Sequence, residues 1–334
     1  MRASYLTAYG DNEVVSSGEL PDPVLSEGTS LIEIKAAGVN PVELGMRAGG
    51  FQRVLPYSFP QVPGFDISGV VREVSGPSQF KVGDEVYARM SNRAPGAYAE
   101  LAVVTNDLLA KKPTKISHIE AASLPTVALT AWQAFFERAN LKNGDRVLIQ
   151  AGAGGVGTFA IQLAKHFGAH VTATAGTANQ AFLKELGADI AVDYTKQRFE
   201  DFGPFDVVYD GVCGELVERS INTLAPGGRY VGLVMMADTR AFMSLGLPEA
   251  IAKGAAAGIA KYEELAASRG AEFHGPLTRP DAIQLAEIAK LVNAGIIKPH
   301  VSRVFGLNQL KQAYEAVGSG HTRGKLVLDT SKLI

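Results

Sequence analysis

The sequence is poor in cysteine, with Cys213 alone in 334 residues. That excludes an intramolecular disulfide framework and suits a reducing compartment. Charge of one sign is also lacking: 32 Lys and Arg stand against 34 Asp and Glu, a formal net charge of −2. Such a balance gives no reason to expect nucleic acid or an acidic membrane surface as a partner. No long apolar run is present either. The most apolar region, roughly 241–260, is interrupted by Glu249, Lys253 and several glycines, and reads as a buried or interface helix rather than a membrane span. The opening Met1-Arg2-Ala3-Ser4-Tyr5 lacks the apolar core of a signal peptide. Repeats, low-complexity tails, a Ser/His/Asp elbow and a P-loop are missing as well. These absences describe a soluble, cytoplasmic protein whose length fits about two domains.

What is present is organised around Val147-Leu148-Ile149-Gln150-Ala151-Gly152-Ala153-Gly154-Gly155-Val156-Gly157. A short apolar run follows the turn Asn143-Gly144-Asp145, as in a buried parallel strand. Apolar residues then recur at helical spacing at Val156, Ala160, Leu163, Ala164 and Phe167. Gly168 ends that helix, and His170-Val171-Thr172-Ala173-Thr174 resumes a strand. Gly152, Gly154 and Gly157 occupy the three glycine places of G-x-G-x-x-G. The first permits the tight turn, the second lets the backbone approach a pyrophosphate, and the third lets helix and strand pack closely. Free N–H groups at the helix start attract the phosphates. A lone G-x-G-x-x-G is weak evidence; within a complete strand–turn–helix–strand unit it predicts dinucleotide binding through Gly152, Gly154, Gly155, Val156 and Gly157.

Before this motif, residues 1 to about 110 show short β-rich runs separated by Gly, Pro, Asn and Asp, the pattern of an antiparallel all-β unit. A helical stretch, 127–139, follows Pro125. From Arg146 onward strands are expected at 146–150, 170–174, 190–194, 206–210, 229–233 and 272–277, with helices at 182–186 and 215–224 between them. This predicts an α/β doubly wound parallel sheet. A helix at 281–293, a strand at 301–305, a helix at 307–317 and a strand at 325–329 close the chain. The expected arrangement inserts the dinucleotide domain, 124–278, into a β-rich catalytic domain formed by 1–123 and 279–334. The active site would then lie in the cleft between them.

Several stretches together resemble one family over nearly the whole chain. They are Ala37-Gly38-Val39-Asn40-Pro41-Val42-Glu43, Val62-Pro63-Gly64-Phe65-Asp66-Ile67-Ser68-Gly69-Val70-Val71, Gly83-Asp84-Glu85-Val86-Tyr87 and Gly96-Ala97-Tyr98-Ala99-Glu100. Leu124-Pro125 with Thr130-Ala131-Trp132, Leu224-Ala225-Pro226-Gly227-Gly228-Arg229 and Gly320-His321-Thr322-Arg323-Gly324-Lys325 complete the set. Their order and spacing resemble the zinc-free, quinone-oxidoreductase (zeta-crystallin-like) branch of the medium-chain dehydrogenase/reductase superfamily. The resemblance implies a Rossmann domain inserted in a GroES-like catalytic domain. It also implies a homodimer that pairs edge strands, here near 272–277.

In the zinc enzymes of this superfamily the metal ligands fall at positions that correspond to Asn40, Phe65 and Thr126. None is a thiolate, imidazole or carboxylate, the donors that zinc sites use. Glu43 and Asp66 are neighbouring acids, but two carboxylates alone make a poor zinc site. His166 and His170 are spaced i, i+4, yet Gly168 breaks the helix between them. No metal is expected. By resemblance Asn40 places its amide near the nicotinamide or substrate, and Thr130 contacts the nicotinamide ribose or phosphate; both are the catalytic candidates. Gly45 stands where several quinone reductases have a tyrosine, leaving Tyr57, Tyr98 and Tyr262 as unranked proton donors.

The acid that selects NAD at the end of the second strand is missing near Ala175. NADP is therefore expected over NAD, with Thr174, Gly176 and Thr177 contributing hydroxyl and backbone groups. Tyr194 matches a phosphate-contacting tyrosine of the family. Ala178, Asn179 and Gln180 stand where basic residues are often found. Leu233, Arg323 and Lys325 complete the expected cofactor contacts. The reading is a zinc-independent NADPH-dependent oxidoreductase acting on a small-molecule quinone or α,β-unsaturated carbonyl. Its alternatives are a cofactor-binding redox sensor, a structural or RNA-binding accessory protein with little turnover, and, remotely, a zinc-type alcohol dehydrogenase.

Overall fold

The computed structural model describes residues 1–234, 236–320 and 322–332. His321 of the closing motif therefore lies outside the described residues. The chain divides into two compact units, Thr130–Thr278 and Met1–Leu129 together with the chain from Arg279 onward.

In Thr130–Thr278 the apolar runs become six strands: β1 (Arg146–Ile149), β2 (His170–Ala175), β3 (Ile190–Asp193), β4 (Phe205–Asp210), β5 (Leu224–Gly232) and β6 (Glu272–His274). They lie in the order β3-β2-β1-β4-β5-β6, and every neighbouring pair is parallel. This is the order of the doubly wound dinucleotide fold, which reverses direction between β1 and β4. Strand β5 starts earlier than the apolar pattern indicates because Leu224 pairs with Phe205 ahead of a register shift. Strand β6 is shorter than expected and forms one edge of the sheet.

Helix α1 (Gly155–His166) returns the chain from β1 to β2 and buries Phe159, Ala160, Ile161, Leu163 and Ala164. Gly168, at φ +83°, ends the turn that follows it. Helices α2 (Gln180–Glu185) and α3 (Leu216–Ile221) occupy the expected connections. The apolar region 241–260 departs from its expectation as one buried or interface helix. It lies within Thr239–Ser244, Glu249–Ala256, the turn Ala257–Ile259 and the start of Ala260–Ser268. Gly246, at φ +87°, and Pro248 separate the first two, and Ile251 is 58% exposed. Among the described residues, no helix is long and apolar enough to cross a membrane.

The other unit is built on a seven-stranded sheet. Its path runs Val301–Gly306, Lys325–Asp329, Thr29–Val39, Asp66–Val74, Glu85–Arg89 and Ala110–Lys111, with Leu101–Thr105 also pairing with Thr29–Val39. A separate two-stranded ribbon joins Arg2–Leu6 to Val15–Glu19. Alternating side chains of the central strands, among them Ile32, Ile34, Ile67, Val86, Leu326 and Leu328, fill the core. The C-terminal strand lies antiparallel to Thr29–Val39, so the end of the chain completes a sheet begun near its start. Helix Ala282–Asn293 starts as expected, with Asp281 accepting from the Gln284 amide at 2.9 Å. The helix Val42–Arg47 has too few residues to show a period and escaped the sequence reading.

A Cβ on Gly157 would lie 2.3 Å from the Ala151 carbonyl oxygen, whereas one on Gly154 would meet only that same oxygen at 3.3 Å. Gly157→Ala is therefore expected to cost about 1–3 kcal/mol through overpacking, and Gly154→Ala much less. Urea unfolding of the two variants measures the difference.

Candidate active site

The glycine turn presents helix α1 as an anion site. Gly154 is its N-cap, with no side-chain hydrogen bond to the first amides and no acidic residue in the first turn. No acidic side chain of the helix's own first turn offsets its positive end, the arrangement that receives a phosphate. The Gly152 amide donates to the Thr174 carbonyl at 2.8 Å and the Gly154 amide to the Ala151 carbonyl at 2.9 Å, fixing the turn against β2. Atoms of Leu183, Ala173 and Ile161 lie 2.9–3.2 Å from a Cβ at Gly152, so only glycine fits there without displacement. Ala151 holds φ +53°, a left-handed conformation uncommon for alanine, which the sequence reading did not anticipate. These residues fit the diphosphate of a dinucleotide.

The ends of β2 and β3 form the neighbouring loop. Thr174 is buried, while Gly176 starts the turn Thr177–Asn179. Tyr194 is 63% exposed, and its hydroxyl would lie 3.5 Å from a Cβ on Gly176. Asp193 also enters this group, though sequence reasoning took it only as part of a strand. Its carboxylate accepts from the Thr177 hydroxyl at 2.5 Å and the Thr195 hydroxyl at 2.7 Å, and Lys196 approaches it at 3.5 Å. The Thr177 and Thr195 hydrogen bonds hold the Asp193 carboxyl down to about 2. The acid missing at Ala175 is thus replaced by one whose oxygens are already engaged.

In the other unit, strand register brings together a buried polar cluster. Leu326 pairs with Val39, Gly38 with Asp66, and Asp66 with Arg89. Lys325, Asn40, Asp66 and Arg89 consequently meet at one end of the sheet. All four are at most 5% exposed, as is Glu43 one helical turn beyond Asn40. The Asn40 amide nitrogen donates to Glu43 Oε1 at 3.1 Å and Asp66 Oδ2 at 3.0 Å. Its oxygen accepts from Lys325 Nζ at 2.6 Å. Lys325 also donates to the Val39 carbonyl at 2.7 Å and lies 3.7 Å from Asp66 Oδ2. Asp66 Oδ1 accepts from the Thr126 amide at 2.9 Å and hydroxyl at 2.6 Å. Arg89 lies over the Phe65 ring, 5.0 Å from its centroid.

These contacts bear on the roles read from the sequence. Both amide hydrogens of Asn40 point to carboxylates, so an acceptor oxygen takes one only in exchange for Glu43 or Asp66. Lys325, expected as a cofactor contact, has its ammonium inside the cluster. Arg323 is exposed beside it in sequence. The Thr130 hydroxyl shares a 2.7 Å hydrogen bond with that of Thr278, and Leu233 donates its amide to the Asp210 carbonyl at 3.0 Å. Of the tyrosines, Tyr98 is buried and donates to Glu43 and, at 3.2 Å, to the Gly38 carbonyl. The Tyr57 hydroxyl faces Met46 Sδ at 3.6 Å, and Tyr262 stacks against Phe273. His166 and His170 are both exposed.

Two family models match the chain, one described as zinc-binding dehydrogenase over residues 186–328 and one as alcohol dehydrogenase GroES-like domain over residues 26–114. The NAD(P)H oxidoreductase RTN4IP1, mitochondrial, of Danio rerio is 32% identical over 98% of this chain and 91% of its own. The NADPH-dependent alkenal/one oxidoreductase, chloroplastic, of Arabidopsis thaliana is 39% identical over 70% of this chain and 62% of its own. The solved quinone oxidoreductase from Coxiella burnetii superposes with a TM-score of 0.86 at 34% identity, covering 99% of each chain. The chain belongs to the medium-chain dehydrogenase/reductase superfamily.

These relatives are named oxidoreductases, and this chain is an oxidoreductase of the same superfamily. The zinc in the description of the matched model does not fit the residues present. Asn40 offers a carboxamide, Phe65 is a buried ring under Arg89, and Thr126 is bonded to Asp66. The space between Asn40, Asp66 and Val39 already receives the Lys325 ammonium. Among the described residues, no three His, Cys, Asp or Glu side chains come together in a set that could hold a metal ion.

Gly154→Asp is expected to remain folded, because its Cβ is nearly accommodated, while its charge sits at the helix N-terminus and repels phosphate. Calorimetric titration with NADPH should show binding lost; retained affinity would place the cofactor elsewhere. Glu43 supplies a pH test. Burial raises its carboxyl to about 7 against hydrogen bonds from Tyr98 and Asn40 that favour the charged form. Its folded state holds the proton more tightly than the unfolded chain, so the stability it contributes is full below pH 4.5 and is lost as pH rises towards 7. Glu43→Gln stays neutral, and the Tyr98 hydroxyl can turn its proton to Gly38. Relative to the parent, the variant should gain on the order of 1–3 kcal/mol between pH 4.5 and 7 and then level off, as read by urea unfolding.

Proposed function

We propose that this superfamily member is a zinc-independent, NADPH-dependent reductase of conjugated acceptors, a quinone or an α,β-unsaturated carbonyl. The observation that carries the reading is the cluster at Asn40, where an amide stands at a metal-donor position and the Lys325 ammonium fills the space beside it. Alcohol oxidation requires a proton to leave the hydroxyl, which a bound dication promotes by lowering its pKa. The residues here provide no such donor set. A conjugated acceptor spreads the incoming negative charge over several atoms and needs less local stabilisation. The names of the Arabidopsis and Coxiella relatives, an alkenal/one oxidoreductase and a quinone oxidoreductase, support the same substrate class.

When bound, the reduced nicotinamide supplies the hydride. The chain's own contribution in Thr130–Thr278 is to seat the diphosphate on the α1 amides and keep carboxylates away from them. NADPH is preferred over NADH because Ala175 carries no acid and the charge of Asp193 is held by Thr177, Thr195 and Lys196. Tyr194 and Gly176 are the adjacent surface for a 2′-phosphate. A homodimer joined through edge strand β6 belongs to the same reading, since among the described residues no strand pairs with the outer side of β6.

With NADPH, the purified protein should reduce enones or quinones and barely oxidise simple alcohols with NADP. Elemental analysis should find no stoichiometric zinc, and EDTA should leave turnover unchanged. One zinc per chain, removed together with activity, or a preference for alcohols, overturns the proposal.

A further inference from the structure

Lys325 is buried without being idle. A lysine is costly to bury unless its charge is answered; here burial lowers its pKa while Asp66 and Glu43 oppose that shift. Its donors reach the Val39 carbonyl and Asn40 Oδ1 at 2.7 and 2.6 Å, and Asp66 lies at 3.7 Å. The chemistry of these partners leaves one orientation for the Asn40 amide. An ammonium can only donate and a carboxylate can only accept, so the oxygen must face Lys325 and the nitrogen must face Asp66. Without the ammonium, that oxygen loses its donor and Asp66 loses its nearest cation. Gly38 is part of the same construction, because a Cβ there would lie 2.4 Å from the Ala122 carbonyl and 3.0 Å from the Asp66 side chain.

We propose that Lys325 is a positioning residue: a protein-borne cation, standing where a metal ion would otherwise organise the site, that fixes the Asn40 amide between Asp66 and Glu43. The inference rests on the zinc-independent reading above. It adds that the site's order depends on a charge carried by the last strand of the chain. It also accounts for the failure of the residues to fit zinc, since a dication would have to share its place with a fixed ammonium.

Two double-mutant cycles test it. The first is structural and needs no substrate: Lys325→Met, Asp66→Asn and the double variant are unfolded in urea. Removing Lys325 alone takes from the buried Asp66 carboxylate its nearest ammonium and leaves only the Arg89 guanidinium of the cluster, so the double variant should be less destabilised than the sum of the singles. Simple additivity overturns the proposed cation. The second cycle is kinetic and combines Lys325→Ala with Asn40→Ala. Folded Lys325→Ala should lose about 10-fold or more in kcat for an enone, with the affinity for NADPH changed less than about 3-fold. In the Asn40→Ala background the same substitution should change kcat little, because the side chain it positions has gone. Added n-propylammonium should restore part of the Lys325→Ala turnover in a saturable manner, and n-propanol should not.

Equal rescue by n-propanol, or undiminished kcat in folded Lys325→Ala, overturns the positioning role. If Lys325→Ala fails to fold, Lys325→Met with Asp66→Asn carries the kinetic comparison, with charges of both signs removed. Turnover in that pair equal to Asp66→Asn alone counts against the proposal, and a further loss supports it. An absence of enone and quinone reduction in the parent protein would defeat the functional reading, while the urea cycle would still report on the cation.

Discussion

Two carboxylates and one ammonium buried around a single carboxamide set the terms for the unit built on the seven-stranded sheet. Asp66 and Glu43 sit almost fully out of water, where an unpaired charge costs several kcal/mol. Hydrogen bonds from Asn40 and Thr126 and the nearby Lys325 ammonium answer the charge of Asp66, while at Glu43 burial outweighs the bonds from Asn40 and Tyr98 and raises its carboxyl to about 7. The sheet makes this possible, since neighbouring strands deliver Lys325, Asn40, Asp66 and Arg89 to one end through backbone register alone. Register slippage by one residue would turn these polar side chains to the opposite face. The electrostatics and the strand pairing therefore specify each other.

The nucleotide-binding unit follows a different principle. Its site is made chiefly of backbone, with glycine removing side chains from the path of a phosphate and helix α1 supplying oriented amides. That is why it reads so directly from sequence. The spacing of Gly152, Gly154 and Gly157 is the geometry, and a strand-then-helix apolar pattern is enough to place it. The six-strand parallel sheet was legible for the same reason: buried parallel strands are continuous apolar runs, and their helical connections have a period of their own.

The polar cluster was only half legible. Asn40, Asp66, Glu43 and Lys325 each stood out in the motifs of the family resemblance, but no local pattern says that residues 285 positions apart in sequence share a hydrogen bond. Long-range strand pairing decides that. The sequence reading placed the Asn40 amide near the nicotinamide or substrate and Lys325 at the cofactor, and did not see that the strand ends turn the two towards each other. Asp193 was missed because its role comes from Thr177, on the loop after the adjacent strand. The region 241–260 was misread for a simpler reason. Its alanine-rich composition hides the breaks at Gly246 and Pro248, and short helices there expose residues such as Ile251.

The strand Lys325–Asp329 has a consequence for how the protein comes into being. Synthesis proceeds from the N-terminus, and domains tend to fold as they leave the ribosome. The whole of Thr130–Thr278 is made before residue 325, and so are Asp66, Glu43 and the strand Thr29–Val39. Until the final segment emerges, those two acids have no ammonium to meet, and the edge of Thr29–Val39 that Leu326–Asp329 will cover has no partner. The unit whose residues come first in the chain is thus the one that must wait for the segment from Lys325 to Asp329, and a nascent chain stalled before Lys325 would hold one finished unit and one open, acid-lined sheet.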